Sequence, residues 1–107
     1  MSEGFRSIIA YVSGPMTGRE DNNRHAFNAA SESLRESGII VLSPAEHDMG
    51  KVHERSHHMR FDIQQVLMSD VVYVLPGWKS SKGAKLEVAI AREIGLPIID
   101  YVTETEI

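Results

Sequence analysis

Ser7-Ile8-Ile9-Ala10-Tyr11-Val12-Ser13, followed by Gly14-Pro15-Met16-Thr17-Gly18, decides the fold. From Ile8 to Val12 the apolar residues do not alternate with polar ones. That is the pattern of a strand buried on both faces, and the Gly-Pro pair then stops it. Strands of this kind belong to parallel sheets whose connections are helical. The rest of the chain supplies the alternation. Asn22 or Asn23 is placed to cap a helix running to about Ser37, with Phe27, Ala30 and Leu34 on one face and Gly38 ending it. Ile39-Ile40-Val41-Leu42 reads as a second buried strand, stopped by Ser43-Pro44. Residues 59–69 read as a helix with Met59, Ile63, Val66 and Leu67 inward. A third strand is predicted over 71–75, a third helix over 83–94 and a fourth strand over 97–101. Residues 103–107 read as a frayed tail.

This order predicts a single α/β domain over residues 1–107: a small doubly wound parallel sheet with helices on both faces, in strand order 2-1-3-4. In such sheets ligands sit beyond the carboxyl ends of the strands. Residues 14–21 and 76–81 form the loops there, which makes Gly14, Met16, Thr17 and Gly18 candidates for substrate contact.

Composition narrows the function. The chain of 107 residues is 42% hydrophobic and 24% charged, as expected of a soluble globular protein. It has no cysteine, which excludes disulfides and thiolate chemistry. Net charge is −4 with no block of Lys or Arg, so a duplex nucleic acid is not the expected partner. Apolar runs such as 71–75 are too short to span a bilayer. Residues 1–6 lack the layout of a signal peptide, and a cytoplasmic location is expected.

Glu87 is the most informative residue. A helical wheel places it among Gly83, Ala84, Leu86, Ile90, Ala91 and Ile94, with Lys85 and Arg92 opposite. A carboxylate within an apolar stripe needs partners or a ligand, and it is either a site residue or a structural group tied to backbone donors. Asp62 lies at the edge of the inward stripe of the preceding helix, where it is a site carboxylate or a surface partner of Arg60. Asp70, at that helix's end, reads as a group bonding the turn backbone. Tyr11, near the end of the first strand, is a core residue or a partner for the Glu87 carboxylate. Trp78 is either an exposed face for stacking on a base or a lid over the core. Ser80-Ser81-Lys82-Gly83 enters a helix N-terminus and reads as an anion seat or a plain serine cap. The Gly-x4-Gly-Lys-Ser/Thr string of nucleoside triphosphatases is absent. His53 and His57 have metal-ligand spacing, but His53, His57 and His58 lie in a polar stretch with no third ligand evident, so no metal site is expected. Residues 45–58, polar and poor in apolar anchors, read as a flexible flap over the site.

Several strings carry a resemblance: Tyr11-Val12-Ser13-Gly14-Pro15-Met16-Thr17-Gly18, Asn28-Ala29-Ala30, Ser43-Pro44-Ala45, Met59-Arg60-x-Asp62-Ile63, Ser69-Asp70, and Leu75-Pro76-Gly77-Trp78-x-x-Ser81-x-Gly83-Ala84-x-Leu86-Glu87. With these the chain resembles the nucleoside 2-deoxyribosyltransferase-like superfamily, and most closely its DUF4406 group of phages and bacteria. The resemblance implies a catalytic glutamate in a Gly-x-x-x-Glu setting, matched by Gly83 and Glu87. It implies a catalytic aspartate eight residues before a second one, matched by Asp62 and Asp70, and a tyrosine ending the first strand, matched by Tyr11. Ser81, six residues before Glu87, stands where the transferases carry an aspartate and the 2′-deoxynucleoside 5′-phosphate N-hydrolases a phosphate-binding serine. Pro15 and Thr17 stand where the first loop of those hydrolases has a serine and an arginine.

The resemblance therefore implies cleavage of the N-glycosidic bond of a nucleoside 5′-monophosphate, by hydrolysis or transfer. Glu87 would be the nucleophile, Asp62 the acid and base, and Tyr11 the group orienting Glu87. Ser81, Lys82 and Gly83 would hold the phosphate. The resemblance implies no cofactor, and a homodimer or a multiple of it. The alternative is a non-catalytic nucleotide-binding or nucleotide-sensing module, which would keep the phosphate seat and Trp78 but need no ordered carboxylate pair.

Overall fold

A computed structural model describes residues 7–47 and 55–107. Its parallel strands are β1 (Ile9–Ser13), β2 (Ile40–Leu42), β3 (Val71–Val74) and β4 (Ile98–Asp100), and its helices are α1 (Arg24–Glu36), α2 (Arg55–Leu67) and α3 (Lys82–Glu93). A last short strand, β5 (Thr105–Glu106), completes a sheet in the order β2-β1-β3-β4-β5. The pairings among β1–β4 are parallel and β5 runs antiparallel to β4. The α/β doubly wound arrangement and the order of the first four strands are those predicted. β5 corrects the frayed tail. Asp100 Oδ1 accepts from the Val102 and Thr103 amides at 2.9 and 3.1 Å, closing a turn that folds the last residues back. The Ile107 amide then reaches the Ile98 carbonyl at 2.8 Å.

Strand alternation sends the two faces of the sheet to different helices. Tyr11, Val72, Val74 and Ile98 pack with Val66 of α2 and with Val88 and Ala91 of α3. Val12, Val41 and Leu75 pack with Phe27, Ala30 and Leu34 of α1 on the other side. β1 is thus the switch point, because the chain leaves it for β2 on one flank and comes back to β3 on the other.

Helix phase departs from the predicted stripes. In α3 the buried residues are Ala84, Glu87, Val88 and Ala91, whereas Leu86 and Ile94 are largely exposed. This helix is apolar on more than one side, and contact with the sheet selects the stripe that carries Glu87. In α2 the inward side holds Gln65 and Val66, while Leu67 faces solvent. β2 is an edge strand, which leaves Ile40 exposed. Asp70 bonds β1: Oδ2 accepts from the Ile9 amide at 2.9 Å, and the Asp70 amide donates to the Ile9 carbonyl at 2.7 Å. Asn23 does begin α1, yet its side chain makes no capping bond and donates instead to the Pro15 carbonyl at 2.9 Å. The expected flap over 45–58 has contacts or secondary structure at both described ends. Ala45 is buried, its carbonyl accepts from Arg24 Nη1 at 2.6 Å, Arg35 clasps Glu46 with two bonds of 2.7 Å, and α2 already starts at Arg55. Its middle, residues 48–54, lies outside the described residues.

Candidate active site

The carboxyl ends of β1 and β3 are drawn close together at the switch point. A side chain at Gly14 would place its Cβ 2.9 Å from that of Leu75, so the first loop rests directly on the end of β3. Beyond this contact opens a cavity of about 920 Å³, within the range of small-molecule sites. The first loop contributes Gly14, Met16, Thr17 and Arg19, and the turn into α1 contributes Asn22 and Arg24. Ala45 and His47 line it after β2, His58 and Asp62 from α2, and residues 80–84 with Glu87 from the start of α3.

Glu87 is 4% exposed, and both carboxylate oxygens are held from the β1 side. Ser13 Oγ donates to Oε1 at 2.7 Å and the Tyr11 hydroxyl donates to Oε2 at 3.1 Å. Tyr11 and Ser13 are fully buried behind the carboxylate, which itself faces the cavity. Burial pushes the Glu87 carboxyl up to about 7; the nearby Asp62 charge adds to the rise, and the two hydroxyl donors oppose it. Asp62 is pushed up to about 6 by burial. Tyr11 is held well above its ordinary value, first by burial and then by the Glu87 and Asp62 charges. Two carboxylates that titrate near neutrality in one cavity can exchange the roles of acid and base with a bound molecule.

The other candidates divide. Ser81 caps α3, its Oγ accepting from the Ala84 amide at 3.1 Å, and it also lines the cavity with Lys82 and Gly83. Gly18 and Trp78 lie outside the lining among the described residues. Trp78 is partly buried against the core, as the lid alternative has it, with Lys79 Nζ 5.9 Å above its ring. Among the described residues no three His, Cys, Asp or Glu side chains are grouped to hold a metal ion, and His53 lies outside those residues.

Sequence reasoning passed over Ser13, Arg19, Arg24 and His47 as site residues, and weighed His58 only as a metal ligand. Ser13 was legible: it stands two residues after Tyr11 and therefore shares its face of the strand. The basic residues were not, because only the tertiary fold sets them around one opening. Arg19 lies over Gly77, where an added Cβ would meet its Nη2 at 2.5 Å.

The family described as a domain of unknown function, DUF4406, matches residues 8–100, which include every residue of this cavity. The chain belongs to the DUF4406 family. No curated protein matches this DUF4406 chain. Among solved structures it is similar to a 2-deoxyribosyltransferase from the psychrotolerant bacterium Bacillus psychrosaccharolyticus, with 20% identity and a TM-score of 0.65 over 85% of this chain and 69% of that one. It is also similar to a conserved protein from Enterococcus faecalis V583, with 22% identity and a TM-score of 0.71 over 89% of this chain and 63% of that one. At these identities the likeness establishes the fold. No described helix is long and apolar enough to cross a membrane.

Proposed function

We propose that this protein cleaves the N-glycosidic bond of a nucleoside 5′-monophosphate, by hydrolysis or by transfer to a second base. The observation that carries the reading is Glu87, buried at the cavity wall with both oxygens oriented by β1 and with Asp62 in the same cavity. The Glu87 carboxylate attacks C1′ of the sugar, the bond to the base breaks, and Asp62 delivers its proton to the departing base. Asp62, now ionised, takes a proton from water or from an incoming base, which attacks C1′ and frees Glu87. This is the retaining scheme of glycoside hydrolases. The fold shared with a protein named a 2-deoxyribosyltransferase supports a nucleoside as substrate.

A phosphate suits the cations of the cavity. Arg19, Arg24 and Lys82 line it, Lys82 at the start of α3. The Ser81 hydroxyl accepts the capping bond and keeps its own proton for a ligand oxygen. The exposed Leu67 and Leu86 on α2 and α3, with Met68 and Ile94 just past their ends, support assembly as a homodimer or a multiple of it.

One observation favours the alternative of a nucleotide-binding module: both Glu87 oxygens already have protein donors, as in a structural carboxylate. Incubation with a panel of nucleoside monophosphates, with chromatography for free base, separates the two. Tight binding by calorimetry with no base released from any member of the panel would sink the glycosidase reading.

A further inference from the structure

The two carboxylates of the cavity are treated unequally by the protein. Glu87 receives two hydroxyl donors from β1, whereas Asp62 receives no hydrogen bond among the described residues. Ser13 is the shorter of the two contacts, and the hydroxyl is fully buried with Glu87 as its acceptor. Its peptide oxygen is occupied by the Leu75 amide at 2.9 Å, which fixes the backbone that carries it. A proton on Glu87 pointing back at Ser13 would strip that O–H of its acceptor, an expensive loss in a buried setting. An ionised Glu87 satisfies both hydroxyls at once.

We infer that Ser13 is a positioning residue for Glu87: with Tyr11 it holds the carboxylate facing the cavity and favours its ionised form against the burial that opposes it. A hydroxyl that donates to a carboxylate favours its charged form, and among the described residues no comparable donor reaches Asp62. The titratable groups facing Glu87 are Tyr11 on β1 and Asp62 on α2. Arg19, Arg24, Lys82, His47 and His58 stand around the same cavity, while β3 and β4 present Val72, Val74 and Ile98 to this side. Ser13 thus eases the ionisation of Glu87 through a contact that Asp62 does not share. The catalytic consequence rests on the glycosidase reading; the positioning of Glu87 does not.

The test is a direct titration. Protein labelled with ¹³C at the glutamate carboxyl carbon is followed by NMR as wild type, Ser13→Ala and Ser13→Cys, with the Glu87 resonance assigned by its loss in Glu87→Gln. The Glu87 midpoint is expected to rise by about one pH unit in Ser13→Ala. In Ser13→Cys, which keeps a weaker donor of similar size, it should rise less. The acid limb of base release should move up by the same amount. A Glu87 midpoint unmoved in folded Ser13→Ala overturns the inference even if the wild type releases base. Should Ser13→Ala fail to fold, an unmoved midpoint in Ser13→Cys does so instead. A shifted midpoint in a protein that releases no base keeps the positioning role of Ser13 and removes the glycosidase reading.

Discussion

The two ends of the cavity are built on opposite principles. Behind Glu87 everything is dry and satisfied: Tyr11 and Ser13 are fully buried and each spends its hydroxyl on the carboxylate. At the open end the side chains of Arg19 and Lys82 are solvent-exposed and, among the described residues, form no hydrogen bond or ion pair. Arg24 is only partly engaged, with Asp21 at 3.7 Å and the Ala45 carbonyl. A group that must change charge during a reaction is held in a rigid, low-dielectric frame, where hydrogen bonds set its state. On the proposed reading, a group that captures an anion is left open, where its charge acts on what arrives.

The largest effect is expected at the dry end. Glu87→Gln should reduce base release by about a thousandfold or more, since a neutral amide is a poor nucleophile. The fold should survive, because size and shape are kept. The sign of the stability change follows from the raised carboxyl. Protonated Glu87 is compatible with burial, so that part of the wild-type stability is fully present below the ordinary carboxyl value near 4.5 and is lost as pH rises through about 7. The Gln variant escapes this loss. Its melting temperature should equal or exceed that of the wild type at pH 8, and the advantage should vanish near pH 4. A variant that melts sharply lower at pH 8, with residual activity tracking the folded fraction, would make the dry end a structural network.

The pair itself should show in the pH dependence of turnover. One proton shared by Asp62 and Glu87 gives a bell with its centre between about 6 and 7. A rate that rises steadily to pH 9 would break the link between the two carboxylates.

At the open end the effects should be smaller and of another kind. Arg19→Ala is expected to raise KM for a nucleoside monophosphate about tenfold, to leave KM for the nucleoside unchanged, and to spare kcat. An equal loss for nucleoside and nucleotide would show that Arg19 supports the loop rather than the phosphate. Ser81→Ala should lower stability by about 1 kcal/mol through the lost α3 cap, measured by denaturant unfolding. It should also narrow, without closing, the affinity gap between nucleotide and nucleoside in calorimetry. A full loss of binding by this variant would place the phosphate on Ser81 alone.

The sequence by itself determined the architecture and the principal carboxylate. Continuous apolar runs such as Ile8–Val12 exclude a half-exposed strand, and a parallel sheet of such strands has its ligand end where residues 14–19 and 76–81 fall. A carboxylate in the apolar stripe of α3 announces itself by period alone, and Tyr11 and Ser13 are joined by the two-residue repeat of β1. Tertiary structure decided the rest. The phase of α3 put Val88 inside and Leu86 and Ile94 outside, because two apolar faces compete and only contact with the sheet chooses between them. Gathering Arg19, Arg24 and Lys82 at one opening depended on loop paths, including the left-handed turn through Asp21, Asn22 and Asn23, that no hydrophobic period encodes. Periodicity reports which face of an element is buried. Where three loops meet is set by packing between elements far apart in sequence.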